Sequence, residues 1–140
     1  MMDDVRIIPG AHEVVAALTG PKAVASGSHP TRLEGKLRTA ALYDAFAPHI
    51  YSAQIVARGK PAPDIYLHTA EALGVAPTEC IAVEDSVNGV TSAREAGMVV
   101  VGFTGGGHCT PRHDAMLRAA GAREVVAEMD QLLTVLRGLA

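Results

Sequence analysis

The sequence predicts an α/β fold, a Rossmann-like parallel sheet with helices on both faces, and three observations carry that prediction. Extended and helical patterns alternate along the whole chain. The extended segments are near-continuous apolar runs, as expected of strands covered on both sides. No internal repeat or low-complexity linker interrupts the 140 residues, so residues 1–140 form a single core domain.

The elements follow in order. After a short extended stretch from Val5 to Pro9, Gly10 leads into a helix over Ala11 to Leu18, and Gly20-Pro21 stops it. Lys22 to Ser26 reads as a strand. Pro30 suits the first turn of a helix capped by Ser28 or His29, which continues from Thr31 to Leu42 with Gly35 as its weak spot. The next strand covers Ile50 to Ala53. Beyond Gly59-Lys60-Pro61-Ala62-Pro63, the residues Tyr66, Ala70 and Leu73 fall at helical spacing, and that helix stops at Gly74. Cys80 to Val83 is an apolar strand closed by Glu84 and Asp85. Ser86 then caps a helix to about Ala96, with Gly97 as its stop, and Met98 to Phe103 is a further apolar strand. Pro111 to Ala119 is a helix, Glu124 to Ala127 a short strand, and Asp130 to Leu139 a last helix with Leu132, Val135, Leu136 and Leu139 on one face.

Composition narrows the function classes. A hydrophobic content of 49% with 19% charged residues suits a globular chain able to bury a core. A net charge of -3 with both signs interspersed offers no basic stripe for nucleic acid and no membrane-surface helix, so the expected partner is a small molecule. Two cysteines, Cys80 and Cys109, suit a reducing compartment, and the acidic start and lack of a spanning apolar run point to the cytoplasm.

Glu84 and Asp85 are the most informative pair. A buried carboxylate is expensive unless paired or bound to a cation, so two of them at a strand end suggest a hard-metal site. Alone, they also fit a solvated helix start, since Asp before Ser is common there. Ser26, Lys60, Glu84 and Asp85 all lie at or just after strand ends, where parallel sheets gather their ligands. The types match phosphate chemistry. The Ser26 hydroxyl and the amides of Gly27 and Ser28 can donate to phosphate oxygens, Lys60 brings a point charge, and Asp85 with Glu84 offers oxygen ligands to Mg²⁺. Each also has a plain reading, Ser26 as a turn residue and Lys60 as an exposed lysine in a proline-rich loop. His108, Cys109 and His113 lack a zinc spacing, and Gly105-Gly106-Gly107 matches no phosphate-loop pattern.

The settings Ala23-Val24-Ala25-Ser26-Gly27-Ser28, Gly59-Lys60-Pro61-Ala62-Pro63-Asp64 and Val83-Glu84-Asp85-Ser86-Val87-Asn88-Gly89 resemble three successive motifs of the haloacid dehalogenase superfamily, in its phosphatase and β-phosphoglucomutase-like branch. The resemblance runs from about Ile8 to Gly107. It implies Mg²⁺-dependent phosphoryl transfer on a small phosphorylated metabolite, with a phosphate-facing Lys60 before a cis Pro61 bond. It also implies an aspartate nucleophile in an Asp-x-Asp-x-Thr pattern at the end of a first strand, forming an aspartyl-phosphate. No such pattern occurs here: Asp3 and Asp4 are adjacent, and no apolar strand precedes them. The expectation is therefore an incomplete haloacid dehalogenase-like core, the C-terminal portion of a longer enzyme lacking its first strand and cap and inactive alone. That strand would lie between the strands ending at Ser26 and at Asp85, so its absence leaves apolar edges open to self-association. A non-catalytic phosphate-binding or partner-pairing remnant is the alternative, and a 2-haloacid dehalogenase, which would leave the paired acids unexplained, is another.

Overall fold

The computed structural model describes residues 21–26, 29–39, 42–105 and 111–139. The extended stretch and helix expected before Pro21 lie outside these residues, as do Gly27, Ser28, His108 and Cys109. Five parallel strands are present among the described residues: β1 (Val24–Ser26), β2 (Ile50–Ser52), β3 (Ile81–Glu84), β4 (Val99–Phe103) and β5 (Glu124–Val126). Six helices accompany them: α1 (Pro30–Thr39), α2 (Tyr43–Phe46), α3 (Asp64–Leu73), α4 (Val87–Glu95), α5 (Pro111–Ala120) and α6 (Met129–Leu139).

The strands form two sheets rather than one, β1-β2 and β3-β4-β5. Within each the register is simple, Ser26 facing Ser52 and Glu84 facing Gly102. Because β1 and β3 share no ladder, side chains and helices join the two sheets. Helix α3 packs on β1 and β2 and also on α4, while α4 covers β3 and β4. The main core lies there, with Ile65, Val90, Ala93, Val100 and Leu117 essentially inaccessible to water. A second cluster, Val101, Phe103, Leu132 and Leu136, seats α6.

Local chemistry explains the boundaries. Helix α3 ends at Gly74, whose left-handed φ of 74° lets its amide close the last turn on Ala70 and Glu71. Helix α4 opens on Ser86, whose Oγ accepts from Gly89 N at 3.0 Å. The helix expected from Thr31 to Leu42 is described over Pro30–Thr39, and Leu42 instead precedes the separate four-residue helix α2. Strand β3 starts one residue later than expected, since Cys80 closes the turn Pro77–Glu79 with its amide on Pro77 O. It also takes in Glu84. No helix among the described residues is long and apolar enough to cross a membrane.

Candidate functional site

The carboxyl ends of β1 and β3 meet through one side chain. Lys60 sits in the loop before α3, immediately ahead of a cis Lys60–Pro61 bond. Its Nζ donates to Ala25 O on β1 at 3.3 Å and to Glu84 Oε2 at the end of β3 at 2.5 Å. The ammonium thus spans the two sheets at their common rim. The loop is anchored below by Ser92, fully buried on α4, whose Oγ donates to Ala62 O at 2.6 Å. On its outer side the Arg58 guanidinium pairs with Asp64 at 2.8 Å, at the first turn of α3.

The strand pleat decides what the two acids do. Successive residues of β3 point to opposite faces, so Glu84 follows Ala82 inward and Asp85 follows Val83 outward. Ala82 and Glu84 are buried, whereas Val83 and Asp85 are exposed. Glu84 is therefore not half of a matched pair. Its carboxylate is 8% exposed and is held by Lys60 and by the hydroxyl of Tyr66, which donates to the same Oε2. Such a charge is tolerable in the interior only because both donors reach it.

Tyr66 is the residue that periodicity concealed, since on the helix α3 pattern it counts simply as core. Its ring is buried at 7% exposure and lies 5.2 Å from Lys60 Nζ, so it touches both members of the ion pair. Burial, then the negative charge of Glu84 and the hydrogen bond to it, push the phenol well above its ordinary range, so it is a donor at any physiological pH. The signal was available: a tyrosine on a buried stripe needs a partner for its hydroxyl. Gly89 closes the motif that begins at Val83. In the structure the Glu84 carboxylate lies directly over it, in space that a Cβ would fill.

The remaining predicted residues are placed as follows. Ser26 ends β1, one residue beyond the carbonyl that Lys60 holds. Gly27 and Ser28 lie outside the described residues. Asp85 presents its side chain to solvent, and its carbonyl accepts from His113 Nε2 of α5 at 2.7 Å, which places His113 at the rim. Among the described residues no three of His, Cys, Asp and Glu gather as a metal cluster. The donors on hand, one buried and one exposed carboxylate on consecutive residues, fit in kind a magnesium ion, which is commonly held by one or two carboxylates with water and phosphate completing its shell.

Comparison with known proteins identifies the family and the fold. The sequence matches the family model described as haloacid dehalogenase-like hydrolase over residues 1–97. It is 31% identical to 6-phosphogluconate phosphatase of Escherichia coli over 108 residues, 77% of this chain and 49% of that enzyme. A haloacid dehalogenase-like protein of Agrobacterium tumefaciens superposes with a TM-score of 0.90 at 43% identity, covering 94% of this chain and 60% of that one. A family hydrolase of Deinococcus radiodurans, solved with bound phosphate and sodium, superposes with a TM-score of 0.88 at 38% identity, covering 94% and 59%. The matched stretch spans only 27 to 49% of the first curated relatives.

Proposed function

Since this chain belongs to the haloacid dehalogenase-like hydrolase family, we propose that it forms the phosphate- and metal-binding part of a phosphohydrolase or phosphomutase acting on a small phosphorylated metabolite. The observation that carries the reading is the Lys60 ammonium, fixed between the end of β1 and Glu84 at the end of β3. A single cation at the rim of parallel strands is where a phosphoryl group would be bound.

Each residue has a part in this proposal. Ser26, with the amides of Gly27 and Ser28, donates hydrogen bonds to phosphate oxygens. Lys60 faces the charge that builds on those oxygens during transfer. Asp85, with Glu84 directly or through water, would hold Mg²⁺, and the ion would neutralise phosphate charge and orient the group for attack. The reaction proposed runs through an aspartyl-phosphate, and the Asp-x-Asp-x-Thr pattern that would provide its aspartate does not occur in these 140 residues. The expected behaviour of the chain alone is phosphate binding without turnover. That absence is also what supports the second reading, a module that binds phosphate or pairs with a partner, itself included, through the edges of β1 and β3.

Titration with inorganic phosphate in the presence of Mg²⁺, followed by NMR, tests the proposal. Ser26→Ala and Lys60→Met are each expected to weaken binding by roughly tenfold or more, as loss of a charge-assisted contact does. Unchanged affinity in both variants would overturn it. Magnesium-dependent turnover of p-nitrophenyl phosphate by the chain alone would overturn instead the expectation that a further carboxylate is required.

A further inference from the structure

Lys60 has two demands on it. In the structure its ammonium satisfies Glu84, a carboxylate that is 8% exposed. In the phosphate reading, on which this inference rests, the same ammonium must turn toward a phosphate oxygen. A buried carboxylate deserted by its only partner is strongly destabilising, so a lysine with sole charge of Glu84 would stay with it. Glu84 has a second partner, however. The Tyr66 hydroxyl donates to the same Oε2 that Lys60 holds, from a ring that is itself buried and therefore fixed. The face of that ring lies 5.2 Å from Lys60 Nζ, within the range of a cation–π contact, so it also offers the ammonium a favourable surface as it moves.

We propose that Tyr66 is a positioning residue that keeps Glu84 partnered when Lys60 turns to a phosphate, and thereby sets the phosphate affinity of the rim. The hydroxyl contributes nothing to the phosphate directly. It lowers the penalty that Lys60 meets on leaving Glu84, and that penalty would otherwise be subtracted from every phosphate contact. The tyrosine stands on α3, the helix that the Lys60 loop leads into, so the two donors to Glu84 lie on one continuous segment packed against α4.

Inorganic phosphate binding distinguishes this from a purely structural role. Tyr66→Phe keeps the ring and its packing and is expected to weaken phosphate binding about tenfold, or about 1.4 kcal/mol. In a Glu84→Gln background, where no carboxylate is left to partner, the same change should alter affinity less than about twofold. Should Tyr66→Phe need support to stay folded, trimethylamine oxide added to all variants alike provides it without acting at the site. Wild-type affinity in Tyr66→Phe, or an equal loss in both backgrounds, overturns the proposal while leaving the phosphate reading intact, provided Lys60→Met weakens binding as expected. Phosphate affinity unchanged in both Lys60→Met and Ser26→Ala overturns both.

Discussion

Replacing Gly89 by alanine should act through Glu84 rather than through the helix it alters. A Cβ at this position would meet three atoms of the Glu84 carboxyl group, each closer than any real Cβ contact, before it met anything else. The carboxylate is the end of a flexible side chain and will give way. In doing so it leaves Lys60, 2.5 Å away, and the Tyr66 hydroxyl. A hydrogen bond to a charged group contributes about 1.5–3 kcal/mol, and breaking a buried ion pair costs about 3–5 kcal/mol. Alanine in place of glycine in a helix returns up to about 1 kcal/mol. The expected net loss is therefore about 2–4 kcal/mol, read as a lower urea midpoint at unchanged slope in far-ultraviolet circular dichroism. In a Glu84→Ala chain the space over Gly89 is vacated, and the same substitution should become neutral or stabilising by up to about 1 kcal/mol. This reversal of sign is the critical result. A loss below about 0.5 kcal/mol in the Glu84 chain, or an equal loss in both, would refute the close approach as its cause.

Two further outcomes are expected. Ser92→Ala removes the only side-chain bond that ties the Lys60 loop to α4 among those described, and the loss of a buried hydroxyl donor to Ala62 O should destabilise the fold by about 1–2 kcal/mol in the same urea assay. Burial first, and then Glu79, raise the Cys80 thiol above its ordinary value, so its thiolate forms at higher pH in the folded chain than in the unfolded one. Alkylation of Cys80 by iodoacetamide, separated from Cys109 by peptide mass spectrometry, should have a midpoint above that of the urea-unfolded chain. Matching midpoints would disprove the shift. The linked stability is fully present below the unfolded pKa and declines as pH rises through the folded one.

The sequence disclosed most of the scaffold because its signals were local. Ser86 before Val87, Gly74 after Leu73 and the run from Val99 to Phe103 each carry their instructions within a few residues, and the structure follows them closely. The short helix α2 was not legible, because four residues show no periodicity. The site was legible as a set of residues and less so as an arrangement. Lys60, Glu84 and Ser26 come to one rim as their positions at strand ends implied. That Glu84 turns inward to a lysine while Asp85 turns to solvent depends on which face of β3 carries α4, a tertiary fact. Tyr66 escaped for a related reason: apolar spacing accounts for its ring and is silent about its hydroxyl.

The division into two sheets gives Lys60 a mechanical meaning. No strand ladder joins β1 to β3 among the described residues, where the small sheet is fastened to the large one by packing and by the Lys60 clasp at the rim. A ligand seated there would engage residues from both sheets and bind only when they are aligned. Its concentration would then act as a tension on the seam, adding about 2.7 kcal/mol of cohesion at a hundred times its dissociation constant. In such a molecule occupancy of the site and tightness of the fold are one variable.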